Sequence, residues 1–292
     1  MRSGDLPDRP LPDCPSPDRP LPDCPLPARD VTTDTAWRQI FEAACAPYRC
    51  NANTNTGSRW AWHWARGKLS RDPVFRGLLE RGDLLPGARV VDIGCGQGLV
   101  ASLLQACELQ AGRGAWPASW PAAPSFSAYH GIELMPKDAA RGNAALAALR
   151  HSGRGAGIGH ARVADIACAD MRDAPIPPCD LVVILDVLHY IDHAAQAALL
   201  ARMRHAMAPP GRLLLRVGDP AHRRGFVFSQ WVDRVVTTAR GHRMPPTWTR
   251  SLAEWTALLQ GLGFGAVQRV AMSQGTPFAN VLLVADLTGA AP

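Results

Sequence analysis

Three glycines at alternate positions follow a short apolar run in Arg89-Val90-Val91-Asp92-Ile93-Gly94-Cys95-Gly96-Gln97-Gly98, and an acid, Asp92, stands two residues before the first of them. Gly94 and Gly96 allow a tight turn and a close backbone approach to a ligand, and Gly98 allows the next helix to pack against the strand. The spacing selects the ligand. A dinucleotide turn reads G-x-G-x-x-G and seats a pyrophosphate on the helix N-terminus. Here Leu99 occupies the place of the third glycine, and Asp92 repels a pyrophosphate while it attracts an ammonium group, so a nicotinamide dehydrogenase is the poorer reading. Two further groups have chemistry to offer. Glu133, at the end of His130-Gly131-Ile132-Glu133-Leu134, is the residue type that accepts from two ribose hydroxyls in nucleotide-binding α/β folds. His189, just past the apolar run Asp180–Asp186, carries an imidazole of ordinary pKa near ~6.5, suited to removing a proton from a phenol hydroxyl.

Gly-x-Gly-x-Gly after a strand that carries an acid resembles motif I of the class I S-adenosylmethionine methyltransferases, whose cofactor has a cationic amino-acid end and no phosphate. The companions arrive in order: Glu133, then Ala169-Asp170-Met171, then Asp186 at the end of a near-continuous apolar strand. The resemblance extends over residues 86 to 286. It implies an α/β, Rossmann-like class I methyltransferase fold, with a seven-stranded, mostly parallel sheet, an antiparallel last strand and an N-terminal helical lid. It implies S-adenosyl-L-methionine as cofactor, held at Asp92, Gly94, Cys95, Gly96 and Gly98 in the first turn. Glu133 and Leu134 would serve the ribose side, Asp170 and Met171 the adenine, and Asp186 the ammonium. His189 lies where small-molecule O-methyltransferases place their base, with Asp186 as the second catalytic expectation. Two alternatives stay open: His189 packs beneath the helix that follows, and Asp186 only holds a loop or orients His189.

Other methylation chemistries fit less well. Base amino-group methyltransferases resemble one another in an Asn/Asp-Pro-Pro-aromatic tetrad at this strand end, where the chain has Asp186-Val187-Leu188-His189. Cytosine-C5 enzymes use a Pro-Cys nucleophile at the strand's exit, whereas Pro178-Cys179 lies at its entrance. Trp60-Ala61-Trp62-His63, Gly131–Met135, Leu185–Asp192 and Thr276–Val281 together look like methyltransferases found beside bacterial aryl polyene pigment enzymes. That narrower match implies a small aromatic, hydroxylated acceptor, methylated on oxygen or on ring carbon, and carried on a carrier protein. A non-catalytic regulatory protein that binds S-adenosylmethionine, and an RNA or protein methyltransferase, are the alternatives.

The elements that must position these groups follow from periodicity and punctuation. Helices are expected over Thr35–Ala44, Ser58–Leu69, Leu99–Cys107, Ala139–Leu149, Ala194–Met207 and Trp231–Ala239, with a last helix opened by the capping box Ser251–Glu254 and Asp192 as a further N-cap. Strands are expected near Arg89–Ile93, His130–Leu134, Ala161–Ile166, Asp180–Asp186, Pro209–Arg216, Ala266–Ala271 and Asn280–Ala285. Glu133 lies 35 residues past Gly98, further than the usual ~20. The excess reads as a Pro- and Gly-rich surface loop over residues 110–127.

The chain has 292 residues and divides into a leader over 1–30, a helical lid over 31–85 and a cofactor-binding domain over 86–288. The leader contains a ten-residue repeat, Pro7–Ser16 and then Pro17–Leu26 with only its last residue changed, and proline at that density forbids helix and sheet ladders. No run approaches the ~18 apolar residues that span a bilayer. The eight cysteines form no Cys-x-x-Cys pair and no Cys/His cluster, so no metal site is expected and reduced thiols in a cytoplasmic setting are the simple reading. The net charge of +6 is scattered, with Lys68 and Lys137 the only lysines, and no basic stripe of the kind nucleic acid requires is visible. Deleting residues 1–30 should leave the melting temperature and turnover unchanged; loss of turnover at an unchanged melting temperature would reveal a functional contact in the leader.

Overall fold

A computed structural model describes residues 31–49, 59–153, 163–221, 247–272, 275 and 279–287; the leader, the helix expected over Trp231–Ala239 and the segment 241–246 lie outside them. Seven strands form one sheet in the order β3-β2-β1-β4-β5-β7-β6. These are β1 (Ala88–Ile93), β2 (Phe126–Glu133), β3 (Val163–Cys168), β4 (Cys179–Leu185), β5 (Met207–Gly218), β6 (Val267–Ala271) and β7 (Asn280–Leu287). The first five pair in parallel, and β7 enters antiparallel between β5 and β6. The central strands are buried on both faces, which is why β4 reads Leu-Val-Val-Ile without alternation: Leu181, Val182, Val183 and Ile184 are all fully buried.

Helices α1 (Val31–Cys45), α2 (Arg59–Arg71), α3 (Pro73–Glu80), α4 (Leu99–Gly112), α5 (Pro136–Gly153), α6 (His193–Ala206) and α7 (Leu252–Gly261) cover the sheet. The expected face of α1, with Trp37, Ile40, Phe41 and Ala44, is buried in one cluster with Leu99, Leu103 and Leu104 of α4. The amino-terminal helices therefore share the sheet's own core. Helix starts follow the side chains predicted for them. Asp192 accepts from the Ala195 N–H at 2.8 Å, and Ser251 and Glu254 complete the capping box of α7. Helix α3 lies outside the expected elements; Asp72 caps it by accepting from the Val74 N–H at 3.1 Å, with Pro73 at the first helical position.

Several boundaries differ from expectation, among them Met207, which opens β5 instead of ending α6. Helix α4 continues to Gly112 because Ala106, Cys107 and Gln110 are still buried, and β2 starts at Phe126, itself 1 % exposed. The connection is thus shorter than residues 110–127, and it is not purely surface. Trp120 is buried, meets Trp116 edge-on with ring centroids 5.3 Å apart, and Trp116 Nε1 donates to the Pro121 carbonyl at 2.8 Å. Two indoles outweigh the loop's breaker residues and fold it back onto the protein.

The ion pairs at the carboxyl edge predict a pH dependence. Burial alone would raise the Asp72 carboxyl, but the Arg216 and Lys68 charges hold it well below the ordinary carboxylate range. A depressed folded-state pKa stabilises above the unfolded value near ~3.9 and that contribution is lost as pH falls below it. Asp72→Ala, which leaves the Arg216 guanidinium short of a partner and α3 without its cap, should cost about 3 to 5 kcal/mol in chemical denaturation. Asp72→Asn keeps a cap and should flatten the acid limb of stability against pH.

Candidate functional site

The register brings the chemistry-bearing strand ends to one edge. Ile93 pairs with Ile132 on one side and Ile184 on the other, and Ile184 pairs with Leu215, so Gly94, Glu133, Asp186 and Arg216 emerge together. That edge includes the gap between β1 and β4, where the winding reverses and open α/β sheets bind ligands.

The glycines of the first turn serve different needs. All three take left-handed backbone angles, with φ of 66°, 57° and 73° at Gly94, Gly96 and Gly98. At Gly94 a Cβ would stand 2.4 Å from Val187 Cγ1, and at Gly98 it would stand 2.9 Å from Ile166 Cδ1. At Gly96 the nearest atom to a Cβ would be Trp64 Cη2, at 4.0 Å, so the middle glycine faces open space beneath a tryptophan. Glu133 is locked beside it. Its Oε2 accepts from the Gly96 N–H and its Oε1 from the Met135 N–H, both at 2.8 Å, which fixes the carboxylate. Leu134 projects from the same edge, 60 % exposed. The turn is braced from behind by Tyr48, whose hydroxyl donates to the Gln97 carbonyl at 2.7 Å.

Asp92 is 2 % exposed and accepts from the Tyr129 hydroxyl at 2.7 Å. Burial, with a lesser push from Glu133, raises its pKa to about 7, against the bond from Tyr129 that lowers it. Burial also keeps the Cys95 thiol protonated, well above its ordinary range. Past β3, Asp170 Oδ1 accepts from the Arg172 backbone N–H at 2.9 Å, its carboxylate is gripped by the Arg172 guanidinium, and those bonds lower its pKa. Met171 packs on the core beside it.

Helix α2 crosses this edge with one i, i+4 row. Trp60 stacks on Trp64 with centroids 6.3 Å apart and lies under the Arg141 guanidinium of α5, and Lys68 reaches Asp72 at 2.8 Å and Asp186 at 3.8 Å. Trp62 faces elsewhere, with the Arg49 and Arg66 guanidinium groups over its ring. Below the row, Arg216 is 1 % exposed and bridges two acids: Nη1 and Nη2 donate to Asp72 at 2.5 and 2.8 Å, Nε donates to Asp186 Oδ1 at 2.8 Å, and Nη2 also meets Asp186 Oδ2. Asp186 itself has φ of 60°, a left-handed conformation uncommon outside glycine. Both its carboxylate oxygens face Arg216.

His189 sits in the 3-10 turn Leu188–Tyr190 after β4. Its ring rests on Tyr190, with centroids 4.1 Å apart. Burial depresses its pKa, with Asp186 pulling the other way, so the imidazole is neutral at pH 7. It lines a small cavity with Arg216, Gly218, Trp248, Arg250 and Trp255. Arg216, Asp72, Tyr129 and Trp248 had no place in the sequence reading of the site, since each acts through partners far away in the chain.

A family model described as a methyltransferase domain matches residues 61–269. No curated protein matches the chain. Among solved structures it resembles the pyocyanin biosynthetic protein PhzM, at 20 % identity and a TM-score of 0.51, covering 85 % of this chain and 62 % of that one. It also resembles the S-adenosylmethionine-dependent methyltransferase SibL, at 17 % identity and a TM-score of 0.52, covering 87 % and 70 %. Magnesium protoporphyrin IX methyltransferase from Synechocystis PCC 6803, with bound SAH, aligns at 17 % identity and a TM-score of 0.48, covering 88 % and 95 %. The glycine turn, the sheet order and the matched family together place the chain in the methyltransferase-domain family, as an enzyme whose cofactor is S-adenosylmethionine.

Proposed function

We propose that the enzyme methylates a small aromatic, hydroxylated acceptor, on oxygen or on ring carbon, with His189 as general base. The observation that carries this reading is the position of His189: a neutral imidazole at the carboxyl edge, in the same small cavity as Trp248 and Trp255. The narrower reading, supported by the motif combination around Trp60, Glu133 and His189, is a hydroxylated aryl head group of the aryl polyene kind, presented on a carrier protein.

The residues present fit the cofactor. Gly96 leaves its forward space open, Glu133 offers a rigid pair of acceptor oxygens for a ribose diol, and Asp92 offers an acid at the ammonium end. Bound there, the cofactor supplies an activated methyl group on a sulfonium. The protein's own work is then alignment and proton removal. The α2 row of Trp60, Trp64 and Lys68 covers the edge and excludes water, Leu134 offers apolar surface on the ribose side and Met171 on the adenine side, and Asp170 offers an acceptor beside Met171. Arg216 holds the Asp186 turn, and with it the start of the segment that carries His189. Neutral His189 then accepts the phenolic proton as the acceptor oxygen attacks.

Asp92 gives this assignment a pH signature. An acid whose folded-state pKa is raised from near 4 to about 7 contributes stability below pH 4 that is lost as pH rises through 7. The free enzyme should therefore lose thermal stability between pH 4 and pH 7, and Asp92→Asn should remove that loss. Cofactor affinity should move the opposite way, strengthening from pH 6 to pH 7.5 as Asp92 ionises. Asp92→Asn and Glu133→Ala should each weaken binding by about 1.5 to 3 kcal/mol in calorimetry on folded protein. Unchanged affinity in both variants rules the assignment out.

For the base, His189→Ala and His189→Gln should lower turnover of a hydroxyaryl acid roughly 10²- to 10⁴-fold with cofactor affinity unchanged, and part of the rate should return at high pH as the phenol ionises unaided. Product mass spectrometry across the pH range is the check. Near-normal turnover in His189→Gln would make the histidine a packing residue.

A further inference from the structure

Trp248 is 42 % exposed, yet the backbone that carries it is held at every step. Its N–H donates to the His189 carbonyl at 2.9 Å. Its own carbonyl accepts from Gln196 Nε2 at 3.0 Å, and that same nitrogen lies 3.1 Å from the carbonyls of Leu188 and Ile191. Gln196 is fully buried, and its Oε1 accepts from Arg250 Nε at 2.9 Å while Arg250 Nη2 donates to the His193 carbonyl at 2.8 Å. His193 Nε2 closes the set on the Thr249 carbonyl at 3.0 Å. Residues 188–196 and 247–250 are thereby one hydrogen-bonded unit, and the main chains of His189 and Trp248 are joined directly.

An indole is among the most profitable side chains to bury, and a mobile segment would simply turn it inward. Here Trp255, five residues past Arg250 and lining the same cavity, is 2 % exposed under the Arg250 guanidinium, whereas Trp248 touches His193 edge-on and keeps much of its surface open. A large aromatic surface fixed outward beside a proton acceptor is the geometry of a platform for a flat ligand.

We propose that Trp248 is the surface against which the acceptor's ring lies, and that the Gln196 and Arg250 bonds set its distance from His189. The proposal rests on the reading of an aromatic acceptor and adds to it the residue that selects aromatic over aliphatic hydroxy acids. The test uses the full chain with 4-hydroxycinnamic acid as probe and an aliphatic hydroxy acid of similar length as comparator. Trp248→Ala should raise KM for the aromatic probe roughly 10- to 50-fold, the size expected for a lost ring contact, with cofactor affinity unchanged. Trp248→Phe should stay within about threefold of wild type, since it keeps a ring. Trp248→Leu, which keeps bulk and fold without a ring, should behave like Trp248→Ala. An unchanged KM in folded Trp248→Ala or Trp248→Leu, with the wild type active on the probe, overturns the platform and leaves the proposed function standing. A wild type that binds cofactor but methylates no hydroxyaryl acid overturns both.

Discussion

A guanidinium buried at 1 % exposure cannot be left without partners, and the region around the site is arranged to satisfy Arg216. One acid, Asp72, comes from the junction of α2 and α3; the other, Asp186, comes from the exit of β4. The same arginine thus ties the amino-terminal helices to the strand ends and holds Asp186 in a left-handed turn, from which the chain enters the segment bearing His189. Lys68 adds a second cation to the two acids, so the cluster carries two charges of each sign. Charge balance of that kind is what lets it sit under a helix at the edge of a sheet.

The opposite half of the edge is built differently, from backbone amides rather than ion pairs. Glu133 is oriented by the Gly96 and Met135 N–H groups, and the turn that supplies one of them is itself braced by Tyr48 from the amino-terminal segment. The two halves meet at Val187, which lies over Gly94 so closely that only a residue without a Cβ fits. Glycine there is a packing requirement between β1 and β4, and at Gly96 it is an opening. Identical residue types in one motif thus do separate physical jobs.

Helix α2 shows how a single spacing serves both halves. Trp60 and Trp64 cover the glycine and α5 side, and Lys68 reaches the acids on the β4 side. The tryptophans two residues apart point to different faces, which is why Trp62 meets the guanidinium groups of Arg49 and Arg66 and not the cleft.

The sequence by itself determined the strand order along the chain, most of the helices among the described residues, the glycine turn, the place of Glu133 at the end of β2 and that of His189 after β4, because each has a local signature: an apolar run, a breaker at fixed spacing, a cap. It also determined the antiparallel end of the sheet through the family resemblance. Boundaries slipped where burial overrode local breakers, as at Gly112 and in the Trp116–Trp120 loop. Only the tertiary structure decided which charges meet. Asp72 and Arg216 are 144 residues apart, and Gln196 and Trp248 are 52 apart. Nothing in the neighbourhood of either partner announces the other, since a salt bridge or an amide bond depends on distance in space, and that distance is set by how the sheet and its covering helices pack.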